Sequence, residues 1–436
     1  MANVEEDRLE ILGLVEKHYS NLKPNADFIP GETPVSVSGK KVDGRDISKI
    51  VEAALDGWFT SGRFTNQFQK ELAEYVGVRS ALFVNSGSSA NLLAVSALTS
   101  PKLGDKALKA GDEVITAAMG FPTTMNPIIQ NGCIPVLVDV DRQTYNVNIE
   151  ALAAAVTSKT KAIVLAHTLG NPFNLEAVLD VCKKHNLYLI EDTCDALGTT
   201  YQGKRVGAFG DVATLSFYPA HHITTGEGGA VLVNSPFLRK EIESFRDWGR
   251  DCYCDSGVDD TCKKRFGWQL GDLPFGYDHK YTYSNLGYNL KATEMQAALG
   301  VSQLGKIHEF VSARKRNFEI LYRNLATNPH LELPLATEGS EPAWFGFPIF
   351  LKETSKLSRL ELIRHLDQKK IGTRLMFGGN LARQPAYKNS KLKISGELKS
   401  SDQIMNNAFW VGLHPSLSEE MLVFAAEEIN AATGNI

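Results

Sequence analysis

Apolar residues recur at helical spacing through 47–58 and 67–75, then give way to a short unbroken apolar run at 81–84. A period near 3.6 buries one stripe of a helix, whereas a short apolar run between turn residues reads as a strand covered on both faces. The turn formers Asn85-Ser86-Gly87-Ser88-Ser89 follow and open another helical stretch. Strand signals at 114–116, 134–138, 162–166 and 187–190 then alternate with helical ones such as 175–185, and Ser216 closes a further strand. This alternation predicts an α/β fold whose large domain has a mainly parallel sheet with helices on both faces.

From Lys291 to about Leu325 the pattern is one long helix, with Ala292, Met295, Ala298, Leu299, Val301 and Leu304 on a broad face. Beyond it, 345–350 reads as a strand and 360–369 and 401–409 as helices, a smaller C-terminal α/β domain. The expected division is an N-terminal segment 1–60, a large domain 61–290, a linking helix 291–330 and a small domain 331–436. Residues 250–283 break the alternation, being rich in Gly, Asp, Cys and aromatics without periodicity. A loop that long inside a compact domain is usually functional.

Composition narrows the partners. With 46 Lys and Arg against 50 Asp and Glu over 436 residues, the net charge of −4 gives no reason to expect nucleic acid or an anionic membrane. The N-terminus is acidic and lacks a signal peptide's basic start and apolar run, and no segment reaches the length of a membrane span, so a cytoplasmic location is expected. Six cysteines are too few for a disulfide scaffold in a chain this long.

Several positions carry chemistry. Gly87-Ser88-Ser89, between a strand and a helix, offers the free backbone N–H groups that bind phosphate esters, although a capped strand-to-helix turn looks the same. Glu191-Asp192 falls at the carboxyl edge of a strand, where open α/β sheets place ligands; a carboxylate there can hold a protonated pyridine nitrogen or cap a helix. Ser216 could donate to a phosphate and Phe121 could stack on a ring. Cys194, Cys252, Cys254 and Cys262 are separated by fifty-seven, one and seven residues. Four thiolates suit either a [2Fe-2S] cluster or tetrahedral zinc, and the spacing fits neither common ferredoxin pattern. Cys194 stands two residues after Asp192, which would put a redox metal beside a cofactor ring. Cys133 and Cys182 read as ordinary buried thiols.

The order Asn85-Ser86-Gly87, Phe121, Glu191-Asp192, Ser216-Phe217, Gly226-Glu227-Gly228-Gly229 and Leu286-Gly287-Tyr288-Asn289 resembles the DegT/DnrJ/StrS family of nucleotide-sugar aminotransferases, from about Trp58 to Gln303. The resemblance implies an aspartate-aminotransferase-like large domain of the pyridoxal-phosphate (PLP) transferase type I. It implies that Asp192 pairs with the pyridine nitrogen, that Phe121 stacks, and that Gly87, Ser88 and Ser216 hold the phosphate. Asn289 would reach the phosphate in the other subunit of a homodimer. Within this pattern His221 stands where the family carries its Schiff-base lysine, Asp195 where it commonly has Gln, and Tyr218 where it often has His. An imidazole cannot form a stable Schiff base, so the cofactor would be held non-covalently, with Asp195 and Tyr218 beside it and His221 free to move a proton.

His221 together with the four cysteines resembles the iron–sulfur 3-dehydrases of that family. What this implies is pyridoxamine phosphate (PMP) and a [2Fe-2S] cluster on Cys194, Cys252, Cys254 and Cys262. It further implies CDP-4-dehydro-6-deoxyglucose as substrate for C3 deoxygenation and an NADH-dependent flavin/iron–sulfur reductase as electron donor. A PLP aminotransferase with a zinc-braced loop, a cluster-free sugar 3-dehydratase and a silent scaffolding relative are the competing readings.

Overall fold

In the computed structural model, which describes residues 2–22 and 27–434, an eight-stranded sheet forms the centre of the molecule. Its order is Ser80–Val84, Gly229–Val233, Val212–Ser216, Tyr188–Asp192, Thr160–Ala166, Glu113–Ala117, Ile134–Val138 and Lys393–Ile394. Gly229–Val233 runs antiparallel to both neighbours, and every other pair is parallel. The strands are apolar on both faces because both are covered. Leu82 and Val84 pack toward Leu93 and Ala94 of the helix Gly87–Ala97, while Phe83 points the other way, edge-on to Phe68 of the helix Arg63–Val76 at 5.2 Å. The parallel arrangement aligns the carboxyl ends of the strands, with Asp192 in register with Ala166 and Thr214.

The helix Arg63–Val76 starts at Gly62, which has no side chain to cap it. Glu294 supplies the cap from far along the chain, accepting from the backbone N–H of Gly62 (2.7 Å), Phe64 (2.8 Å) and Thr65 (2.9 Å) while fully buried. A carboxylate at a helix N-terminus answers both the free donors and the dipole.

Two boundaries differ from the pattern reading. The long helix expected over 291–325 begins at a Thr293–Gln296 capping box and is interrupted at Gly305-Lys306, giving Glu294–Leu304 and Ile307–Leu325. Lys306 is drawn sideways by Asp43 (2.7 Å) and Asp46 (2.8 Å), a long-range pairing invisible to local periodicity. The helix expected over 401–409 ends at Asn407, because Ala408 and Phe409 begin the strand Ala408–Gly412. That strand lies in a four-stranded antiparallel sheet ordered Leu331–Glu332, Gly346–Leu351, Ala408–Gly412, Thr373–Leu375. Ile307–Leu325, Arg359–Gln368 and Glu419–Thr433 pack with it around Phe347, Ile349 and Phe409. Within 331–436, the strand Lys393–Ile394 nonetheless joins the large sheet beside Ile134–Val138, so the two sheets share chain across the expected boundary.

Residues 250–283 hold a single 3₁₀ turn, His279–Tyr281, and are tied by ion pairs: Arg265 forks onto Asp278 (3.0 and 2.7 Å) and reaches Asp259 (3.2 Å). A backbone bridge between Arg250 and Tyr283 closes the ends of the loop.

Candidate active site

Asp192 ends its strand at the carboxyl edge of the sheet and is 6% exposed. One carboxylate oxygen accepts from Asn91 Nδ2 (2.9 Å) and Thr124 Oγ1 (2.7 Å), and the other accepts from the N–H of Cys194 (3.2 Å). Thr214, in register on the next strand, donates to Asn91 Oδ1 (2.6 Å) and fixes that amide in turn. Three neutral donors hold the carboxylate in place without a cationic partner, which suits it to receive a protonated ring nitrogen. Glu191, by contrast, is fully buried and structural: it accepts from the backbone N–H of Gly207 (2.9 Å), Phe209 (2.9 Å) and Gly210 (2.6 Å).

Beside Asp192 the chain crosses itself at van der Waals limits. Ser86 caps the helix Gly87–Ala97 through the N–H of Ser89 (3.0 Å), which leaves Gly87 and the exposed Ser88 at the open helix N-terminus. A Cβ on Gly87 would lie 2.4 Å from Cβ of Ser216, and one on Gly229 would lie 2.4 Å from the carbonyl oxygen of Ser86. Glycine is what allows the Ser216 hydroxyl to stand next to the unpaired N–H groups of the helix, an arrangement that fits a phosphate ester.

His221 follows in the irregular segment after Ser216, its N–H bonded to the carbonyl of Tyr218 (2.9 Å). Its Nδ1 lies 3.5 Å from Oδ1 of Asp195 but makes no hydrogen bond there or elsewhere among the described residues. Burial, then the charge of Arg314, pushes the imidazole pKa down to about 4 against the opposing pull of Asp192. Burial, then the charge of Asp192, pushes the Asp195 carboxyl up to about 8. Near pH 7 the pair is therefore a neutral imidazole beside a mostly protonated acid rather than a salt bridge. His221 is unprotonated throughout the neutral range, and its pKa falls below the value near neutrality that an unperturbed histidine would have. His222 points away, onto the carbonyl of Ala343.

Phe121 opens the helix Pro122–Gln130, so it shares a first turn with Thr124, the residue that holds Asp192. Its ring is half exposed and meets Phe377 edge-on at 6.1 Å. Tyr218 is equally exposed, and the side chain of exposed Asn289 accepts from Lys291 (2.8 Å).

The cysteines divide. Cys252, Cys254 and Cys262 line one small cavity with His279, whose Nδ1 lies 3.7 Å from the Cys262 sulfur and whose Nε2 lies 2.8 Å from Asp251. Cys194 is not in that lining. It sits at the sheet edge, where burial, then the charge of Asp192, keeps its thiol protonated. Among the described residues no group of three or more His, Cys, Asp or Glu side chains is arranged to hold a metal ion. A larger cavity of ≈ 670 Å³ adjoins the loop, with Lys102, Arg246, Trp248, Cys252, Cys254 and Lys291 in its wall.

Pattern reading passed over Asn91, Thr124, Arg314 and His279. Asn91 and Arg314 each left a trace, as polar residues on mainly apolar helix faces. His279 lies in the loop without periodicity and left none.

The sheet order, the strand-end aspartate and the glycine crossing define an aspartate-aminotransferase-type fold. The chain belongs to the DegT/DnrJ/EryC1/StrS aminotransferase family, whose profile matches residues 40–429. It is 58% identical over 428 residues to the lipopolysaccharide biosynthesis protein RfbH of Salmonella typhimurium strain LT2, covering 98% of each chain. It is 51% identical over 413 residues to the dTDP-4-dehydro-2,6-dideoxy-D-glucose 3-dehydratase of Saccharopolyspora spinosa, covering 95% of this chain and 89% of that one. The solved structure of E. coli GDP-4-keto-6-deoxy-D-mannose-3-dehydratase with bound hydrated PLP superposes with a TM-score of 0.82 at 29% identity, over 91% of this chain and 99% of that one. The protein is accordingly a sugar-modifying enzyme of this family. Among its described residues no helix is long and apolar enough to cross a membrane.

Proposed function

We propose that the protein removes the C3 hydroxyl of a nucleotide-linked 4-keto-6-deoxyhexose, CDP-4-dehydro-6-deoxyglucose, using PMP and a [2Fe-2S] cluster. The observation that carries this reading is His221: a neutral, half-buried imidazole, 3.5 Å from Asp195, in the segment after Ser216 where a transaminase of the family has its lysine. Similarity to a dTDP-sugar 3-dehydratase and to a GDP-sugar 3-dehydratase supports dehydration over amino transfer.

PMP fits the residues present. Asp192 would hold the ring nitrogen, Phe121 would lie against the ring, Gly87, Ser88 and Ser216 would take the phosphate, and Asp195 and Tyr218 would flank His221. The chemistry a bound PMP supplies is an amine for the sugar ketone and a pyridinium electron sink. His221 would take the proton whose loss accompanies departure of the C3 hydroxyl, with Asp195, mostly protonated near pH 7, 3.5 Å away. Replacing C–OH by C–H consumes two electrons and two protons and releases water. A cluster on Cys252, Cys254, Cys262 and Cys194 would supply one-electron chemistry from an NADH-dependent flavin/iron–sulfur reductase. Its support is the donor chemistry of four thiols and the shared cavity of three of them. Exposed Phe121, Tyr218 and Asn289 favour a site completed across a homodimer.

The separate position of Cys194 favours one second reading, a cluster-free sugar 3-dehydratase. Iron, sulfide and zinc contents with an electron paramagnetic resonance spectrum after reduction distinguish the two. For the base, His221→Asn is expected to keep PMP and lose deoxygenation; near-complete activity in that variant refutes the assignment.

A further inference from the structure

We infer that Arg314 is a positioning residue for His221, its guanidinium tying the segment that carries the imidazole to the chain entering the strand Gly346–Leu351. Arg314 rises from the helix Ile307–Leu325 and is 1% exposed. Nη1 donates to the carbonyls of Phe345 (2.9 Å) and Trp344 (3.4 Å), and Nη2 donates to those of Ala220 and His221 (3.4 Å each). The ring of Phe345 completes the clamp, 5.1 Å from the His221 ring and 5.7 Å from the guanidinium carbon.

A fork that grips four carbonyls from two segments fixes both at once, which a flexible ammonium does less well. The energetics also argue for more than bracing. No carboxylate lies within ion-pair distance of this guanidinium among the described residues, and its Nε has no partner. A buried cation without a bonded anion is costly, and a neutral side chain could brace two loops without that cost. What the charge adds is a field at the site. His221 is faced by Asp195 at 3.5 Å, by Asp192, by Arg314 and by the adjacent His222, and Arg314 is the only one of these with a fixed positive charge. It opposes protonation of His221 while the tie fixes where the imidazole stands.

The test joins a titration to kinetics. Histidine labelled at Cε1 lets the His221 signal, identified by its loss in His221→Asn, be followed by NMR across pH without substrate. Arg314→Met is expected to raise the His221 pKa by about one unit or more and to lower kcat for nucleotide-sugar deoxygenation by about tenfold to a hundredfold, with KM within about threefold. Arg314→Lys keeps the charge and loses the fork, so its His221 titration should stay near wild type while kcat falls; it also serves if the methionine variant folds poorly. An unchanged His221 titration in Arg314→Met, or wild-type kcat in Arg314→Lys, overturns the inference. Turnover rests on the proposed dehydrase reading, but the NMR arm does not. A wild-type protein inactive on the sugar, with His221 still shifting in Arg314→Met, would defeat that reading and leave the positioning role standing.

Discussion

Adding one methyl group at Gly87 should distort the proposed cofactor site through the backbone itself. In Gly87→Ala the new Cβ meets Cβ of Ser216 at 2.4 Å, Oγ at 2.9 Å and Cα at 3.1 Å. Carbon atoms are comfortable at about 3.5–4.0 Å, so the two segments must separate by roughly 1 Å. Ser216 has little room to retreat, because it pairs with Gly229, which is itself packed on the Ser86 carbonyl. The helix Gly87–Ala97 must therefore shift, and overpacking of this kind costs about 1–3 kcal/mol. The same movement draws the helix N–H groups away from the Ser216 hydroxyl. If the whole cost falls on the bound state, PMP affinity drops by about 5- to 150-fold; if it falls on folding, the melting temperature drops by a few degrees. Isothermal titration with PMP and a thermal melt on the same preparation measure both. A Gly87→Ala protein with wild-type affinity and wild-type melting would show that the crossing is looser than described, and the phosphate cradle would lose its foundation.

Other outcomes follow from the same geometry. Glu294→Ala removes the acceptor for the buried N–H groups of Phe64 and Thr65 and the partly buried one of Gly62 and should cost about 2–4 kcal/mol, read by chemical denaturation; Glu294→Gln should recover part of it. Burial pushes the pKa of His414, like that of His221, down to about 4. An unfolded histidine titrates near 6.5, so between pH 6.5 and about 4 the unfolded chain takes up protons that these native imidazoles refuse. Stability therefore falls on acidification through that window, by up to about 1.4 kcal/mol per pH unit for each histidine. His414→Gln should flatten the acid side of the stability curve, and an unaltered slope would contradict the assignment. Cys252→Ser should abolish the visible absorption of a purified cluster, whereas persistence of that spectrum would remove Cys252 from the ligand set.

Much of this was legible in the chain itself. Two-sided apolar strands alternating with amphipathic helices announce a covered parallel sheet, with Asp192 and Ser216 at strand ends and Gly87 at a helix start, where the main chain alone dictates their neighbourhood. Pairings between distant segments were not legible. The Glu294 cap reaches more than 200 residues back along the chain, the Lys306 pairing breaks a helix that looked continuous, and Arg314 meets His221 only after folding. Titration is hidden for the same reason: no local pattern says that burial, and then Arg314, will hold the His221 pKa at about 4. Spacing also could not reveal that three cysteines share a loop cavity while Cys194 lies apart.

The most direct trial of the account is a product analysis. Purified protein, PMP and CDP-4-dehydro-6-deoxyglucose are incubated anaerobically with an NADH-dependent flavin/iron–sulfur reductase, and the nucleotide sugar is weighed by mass spectrometry, wild type beside His221→Asn. The wild type should yield a sugar lighter by one oxygen atom, and the variant should leave the substrate unchanged. An amino sugar formed with an amino-acid donor, or the same deoxygenated product from both proteins, would contradict it.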